Sequence, residues 1–178
     1  GIGLQKQKDD LKKIINIDGF KSNLPSLKKD LSVFWIVPKM SHLFQNSPEE
    51  RRNFIDMMIN SIDKSHSENL QNYKKLKKER IRILKGKNFK VYEKWLDVVE
   101  KKMCFSGLII CDARRTFLKS LNDSLKIINK KMSYIALELD GILDKLLSQN
   151  PALYVENFFL EKLRENRTKD SISGRTNF

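Results

Sequence analysis

The chain has 178 residues, 32% of them charged, and a formal net charge of +13 at pH 7. That length holds one domain with a real core and is short for two. The positive excess favours an anionic partner, nucleic acid first and a membrane surface second, against the plainer reading of a lysine-rich soluble protein. No apolar run reaches the roughly 18 residues of a membrane span. The start, GIGLQKQ, has neither an apolar signal core nor an initiator Met, and both ends are expected to be cut or to reflect a reduced reading frame. Cys104 and Cys111 lie two helical turns apart, too far for a disulfide. With two scattered His they make no metal-ligand set, and they read as reduced thiols of a cytosolic protein.

Residues 1–22 read as strands. Asp18-Gly19 is a two-residue hairpin signal, because Asp-Gly accepts the positive φ angles of a type I′ turn. Leu24–Leu31 fits a short helix with Pro25 in its first turn. Ser32–Val37, SVFWIV, is the best candidate for a buried strand, ended by Pro38. Lys39–Phe44 is a helical turn or loop, and its His42 reads as solvated or backbone-bonded.

Ser47 begins the first strong helix. Its hydroxyl can cap a free amide, Pro48 suits the first helical position and Glu50 completes a capping box. Phe54, Ile55, Met58, Ile59 and Ile62 form its apolar face. Ser65 and Glu68 offer a second capping box. From Glu68 the chain is a charged amphipathic helix with a stripe of Leu70, Tyr73, Leu76 and Ile83. Lys74, Lys78, Arg82 and Lys85 line another face. Gly86 suits a left-handed C-cap.

Phe89–Lys131 reads as one long helix, or as two with a break near Gly107. Leu96, Met103, Ile110 and Phe117 recur at heptad spacing, with Val99, Leu121, Leu125 and Ile128 filling the seam. The short turn at Gly86 implies an antiparallel hairpin of the two helices. Ser133–Asp140 alternates like a strand, and Asp140-Gly141 is a second hairpin-type signal. Asn150-Pro151 opens a last helix to about Arg167, with Leu153, Phe158, Leu160 and Leu163 inside. Lys169–Phe178 is polar and expected to be loose. The fold class is α+β, predominantly α-helical. A helical hairpin over 47–132 looks like an insertion into a β-containing domain whose flanks are 1–46 and 133–178.

No GxxxxGK[ST], GxSxG, HExxH or CxxC pattern occurs, and no catalytic constellation is found. The basic face of Lys74, Lys78, Arg82 and Lys85 can neutralise backbone phosphates, which supplies affinity without base specificity. A solvated outer face is the alternative, at even odds. Tyr73, Tyr92 and Trp95 could stack on bases, with seam packing as the favoured reading. Arg51 and Arg52 taken alone are helix-surface charge.

Pro48-x-x-Arg51-Arg52-x-Phe54-x-Asp56 resembles the PxxRRxFLD stretch of the RecF family of recombination and repair ATPases, with Ile55 in place of its Leu. Other segments match in the same order. SVFWIVPKMSHLF is similar to the RecF strand that leads through a Pro into this helix. Tyr73, Leu76, Glu79-Arg80 and Leu84 resemble a Y…L…RN…LL segment, Ile81 replacing Asn. Trp95-Leu96-Asp97 resembles the WLD of the arm helix. Asp170-x-x-x-Gly174-x-Thr176 is similar to the D…GRT run that precedes a GPHRxDL block.

The resemblance implies an ABC-type ATPase head with a helical arm. It further implies DNA binding at single-strand and junction sites, work with RecO and RecR, support of RecA loading and the SOS response, and a cytoplasmic place. ATP and Mg²⁺ belong to the full-length family, whose Walker A, signature and Walker B motifs are not found in this sequence. The chain is therefore expected to be an internal RecF-like piece, without enzymatic activity of its own. The competing reading is a helical-hairpin interaction module without DNA binding, able to form a homodimer through the stripe 96–117. Membrane binding is disfavoured, because the apolar stripe beside the lysines is narrow.

Overall fold

The computed structural model describes residues 2–7, 10–23, 34, 36–86, 89–128 and 135–176. These fall in two compact units, Gly1–Lys64 and Ser65–Phe178. The predominantly α-helical α+β class expected from the sequence is what the structure shows.

The first unit carries an antiparallel sheet of β1 (Ile2–Gln7), β2 (Asp10–Ile17) and β3 (Phe20–Ser22) in the order β1-β2-β3. The Asp18-Gly19 turn has φ of 50° and 83° and sets Ile17 opposite Phe20, the type I′ hairpin that the dipeptide predicts. A 3₁₀ segment, Pro38–Gln45, then leads to α1 (Pro48–Ile62). Ser47 Oγ accepts the Glu50 amide at 3.3 Å, and Pro48 occupies the first turn, as read from the sequence. Ile55 and Ile59 are buried on the expected apolar face, whereas Ile62 is exposed.

The short helix expected over 24–31 lies outside the described residues. Of the strand expected over Ser32–Val37, residues 34, 36 and 37 are described. Phe34, Ile36 and Val37 are exposed and in no strand. An apolar run becomes a strand only with a neighbour to bond its amides, and among the described residues the sheet ends at β3.

The second unit is built on α2 (Ser65–Leu84) and α3 (Glu93–Ile128), linked through a 3₁₀ turn at Phe89–Tyr92. They run antiparallel: Arg80 meets Glu100 near the turn, and Tyr73 meets Gly107 further out. α3 passes Gly107 without a break. Its 36 residues span about 54 Å at 1.5 Å each, so its C-terminal part outruns α2. Leu96, Met103 and Ile110 of the heptad are buried, as is Val99, while Ile128 is exposed. This stripe is therefore consumed within the chain. It was the feature that motivated the interaction-module reading.

Gly86 does not take the left-handed cap expected of it. Its amide bonds Ile83 O at 3.0 Å, and the left-handed helix cap among the described residues is Gly174, with φ 66°.

Of the strand expected over Ser133–Asp140, residues 135–140 are described, and they form no ladder. Asn122 on α3 stands in for a neighbouring strand. Its Nδ2 donates to Leu137 O at 2.8 Å and its Oδ1 accepts Leu137 N–H at 2.9 Å. Asp140-Gly141 is not a hairpin turn either: Gly141 is the N-cap of α4 (Ile142–Gln149).

α5 (Ala152–Glu165) follows Asn150-Pro151 as read, with Leu163 buried and Leu160 against the core as expected. Val155, Phe159 and Leu163 are buried, while Leu153 is exposed. Phe159 and Leu163 pack with Met103 and Cys104 into a core flanked by Tyr73, Leu76, Leu108, Leu143 and Leu160. The tail expected to be loose instead forms α6 (Arg167–Ser173), with Asp170 fully buried.

Gly107 makes the close approach of α5 to the hairpin possible. A Cβ there would lie 2.9 Å from Phe159 Cε1 and 3.2 Å from Tyr73 Cε2. Gly107→Ala gains about 1 kcal/mol of helix propensity but forces two aromatic rings aside, at about 1–3 kcal/mol. The steric side wins. The variant is expected to lose about 1 kcal/mol in urea denaturation, and a gain in stability would contradict this packing.

Candidate functional site: a buried ion network beside a basic helix face

Arg80 occupies a core position of α2, one turn after Leu76 and one before Leu84. Glu100 occupies the matching position of α3, one turn after Leu96. A charge on each apolar face, of opposite sign, meets across the hairpin. Arg80 Nε donates to Glu100 Oε1 at 2.8 Å, and both side chains are almost wholly buried. The same guanidinium donates to Asp170 Oδ2 at 2.6 Å, to Leu163 O at 2.7 Å and to Thr176 Oγ1 at 3.4 Å. One side chain of α2 thus ties down α3, the end of α5, α6 and the residue beyond Arg175.

Arg167, at the start of α6, closes the other side. It donates to Glu100 Oε2 at 2.5 Å and to Asp97 Oδ1 at 2.6 Å, and lies 3.5 Å from Glu93 Oε1. Burial pulls the Arg167 pKa down, but its bonds to Glu100 and Asp97 outweigh that and leave it raised. The hydrogen bond from Arg167 holds the Asp97 carboxyl below the usual aspartate value. Two guanidinium groups do not trade protons at neutral pH, so this network positions helices and does no acid–base work.

Three of the segments quoted for the resemblance, those around Arg80, Trp95 and Asp170, converge here. Asp170 and Thr176 bond Arg80, and Gly174 takes the left-handed φ of 66° that glycine favours. A Cβ on Gly174 would also lie 2.7 Å from Lys85 Nζ. In Trp95-Leu96-Asp97, Trp95 donates its indole N–H to Glu79 at 3.2 Å, Leu96 is fully buried and Asp97 holds Arg167. The polar residues of this hub were missed as a group by sequence reasoning. The signal that could have found them is a charged residue interrupting the apolar stripe of each facing helix.

The four basic residues fall where the spacing predicts. Lys74, Lys78 and Arg82 are exposed along one face of α2, and Lys85, just past its end, is exposed as well. Arg80, within the same basic run, is not on that face. Trp95 and Tyr92 are more than half exposed, so seam packing is not their role, whereas Tyr73 does pack in the core.

In the first unit, Pro48 and Arg52 are exposed on α1 and Asp56 is buried. Arg51 Nη1 donates to Asn46 O at 2.5 Å, bracing the start of its own helix. Phe54 meets Phe34 edge-on, 6.4 Å between ring centres.

Burial pushes the Cys104 thiol up to about 12, with Glu156 adding to it, and Cys104 and Cys111 are not joined in a disulfide. No helix among the described residues is long and apolar enough to cross a membrane. Nor do three His, Cys, Asp or Glu among the described residues come together to hold a metal ion. No GxxxxGK[ST] loop occurs in the sequence.

A protein named "DNA replication and repair protein RecF" from Brucella suis biovar 1 is 28% identical over 165 residues, covering 91% of this chain and 42% of the relative. Over the matched length the chain is similar to a stretch of this RecF. The RecF of Rhizobium rhizogenes is 29% identical over 179 residues, which is 99% of this chain and 47% of that protein. The RecF of Rickettsia typhi is 28% identical over 152 residues, 85% of this chain and 41% of its own length. The chain thus spans less than half the length of these RecF relatives. No protein-family model and no solved structure matches it.

Proposed function

We propose that this chain serves DNA replication and repair, as the names of its RecF relatives describe, and that the outward face of α2 holds DNA by its phosphates. The observation that carries this reading is the row of Lys74, Lys78 and Arg82 on α2 with Lys85 just past its end, all exposed, in a chain with net charge +13. A regular row of cations suits a polyanion of fixed charge spacing better than it suits a compact anion. In this reading the chain is the DNA-holding and non-hydrolysing part. Nucleotide and Mg²⁺ are bound by other parts of RecF. Single-stranded and junction DNA as targets, RecO and RecR as partners, a part in the SOS response and a cytoplasmic place follow from the RecF resemblance and extend the proposal.

The test is duplex DNA binding across a salt series. Four phosphate contacts give a log–log slope near −3.6, or roughly a hundred-fold loss of affinity between about 50 and about 200 mM salt. Changing the four residues together to Ala is expected to flatten that slope by about 3 or more. No binding at about 50 mM salt, or a slope the four changes leave intact, rejects the role assigned to this face.

A further inference from the structure

A second surface of the hairpin, distinct from the basic row, has the make-up of a base-binding groove. It lies between the flanks of α2 and α3 beside α5, with a volume of about 680 Å³. On α2 it is lined by Asn69, Asn72, Lys75 and Glu79 and floored by Leu76. On α3 it is lined by Lys101, Lys102, Phe105 and Ser106, and Glu156 of α5 closes one side. At about 100° per residue, its α2 wall is turned roughly a third of a turn from the row Lys74–Lys85. The two surfaces can therefore be altered separately.

Phe105 is 66% exposed in the middle of a long helix, where solvent contact costs free energy, and no described residue covers the ring. It stands beside Lys101 and Lys102, with Lys75 on the facing helix. All three lysines are exposed, and the structure gives none of them an ion pair. Asn69 and Asn72 offer amide donors and acceptors on the same wall. Glu79 is already engaged, accepting the Trp95 indole N–H at 3.2 Å. An open aromatic face between unpaired cations matches one ligand chemistry best: a flat ring joined to phosphates. Duplex DNA keeps its base faces stacked inside and cannot use Phe105.

We infer that this groove takes one or two nucleotides of a single strand, a base stacking on Phe105 while Lys75, Lys101 and Lys102 hold the adjoining phosphates. The inference deepens the DNA-holding role proposed above by giving single strands a site of their own. Every base has a π-face, so the site is indifferent to sequence.

The experiment measures two probes on the full chain by fluorescence anisotropy, a labelled oligo-dT and a labelled duplex. Phe105→Leu keeps the apolar bulk and removes the ring, and Phe105→Trp keeps a ring. The expected result is oligo-dT binding weakened about ten-fold or more in F105L, retained in F105W, with duplex affinity unchanged in both. Lys75→Ala, Lys101→Ala and Lys102→Ala together reduce the salt slope for oligo-dT by about 2. Oligo-dT binding that F105L leaves intact, or that tracks only the Lys74–Lys85 row, overturns the inference while leaving the duplex role standing. Absence of oligo-dT binding at about 50 mM salt overturns it as well. Loss of duplex binding alone in the Lys74–Lys85 variant supports both surfaces as separate sites.

Discussion

Arg80→Met is expected to lower the stability of the helical unit by about 3–5 kcal/mol. Its side chain is 0% exposed and makes four hydrogen bonds, two of them to buried carboxylates. Methionine fills much of the volume but leaves Glu100 and Asp170 without a shared counter-charge in a place that water does not reach. Stranding a buried charge costs more than the pair is worth against an apolar replacement. The triple change Arg80→Met, Glu100→Leu, Asp170→Leu should therefore be less damaging than Arg80→Met alone. Arg80→Lys should fall between, since an ammonium keeps the charge but cannot present the planar fork that reaches α3 and α6 together. Urea denaturation read by far-UV circular dichroism ranks the three. A loss below about 1 kcal/mol for Arg80→Met, or a triple variant weaker than the single, would show that the network does not hold the helices. The acid limb adds a check. Asp97 has a folded pKa below its unfolded value, so its contribution is complete above about pH 4 and fades as pH falls through the depressed value. Asp97→Asn should remove that part of the acid dependence.

The local elements were legible because their causes are local. Ser47-Pro48 starts α1 and Asp18-Gly19 turns the hairpin through chemistry within a few residues, and the heptad of α3 follows from helical period alone. What failed depended on partners far away in the chain. Ser133–Asp140 alternates like a strand, but its described part is clamped by the amide of Asn122, which no alternation rule can reveal. Lys169–Phe178 looked loose because it is polar. It forms α6 because Asp170 answers an arginine 90 residues earlier. In α5, Leu163 was read correctly as inside, but Leu153 is as apolar as Val155, and composition alone does not say which of the two turns inward. The exposed row Lys74–Lys85 was read correctly as a face. Arg80 inside the same run was not separated from it by composition, although its place on the apolar stripe marks it as different.

Phe159→Ala is the second change expected to be severe, at about 3–5 kcal/mol against a total of about 5–15 kcal/mol for a domain of this kind. Phe159 is 1% exposed and packs with Met103, Cys104 and Leu163, its ring edge turned to the backbone of α3 at Gly107. The wall it faces is a helix backbone, which cannot collapse into the space a lost ring leaves, so the cavity term should be near its full size. The pair Phe159 and Gly107 then allows a stricter test than either change alone. In the native protein a methyl at Gly107 strikes the ring and destabilises. With Phe159→Ala in place the ring is gone, the methyl fills part of the cavity and the helix gains about 1 kcal/mol of propensity. The same Gly107→Ala change should therefore reverse sign between the two backgrounds, giving a coupling of about 2 kcal/mol in a double-mutant cycle. Additive effects would mean that α5 is not seated on α3 through this contact. The α5 helix leads directly into α6 and Asp170. A seat lost at Phe159 should thus weaken the Arg80 network as well, and Phe159→Ala combined with Arg80→Met should cost less than the sum of the two.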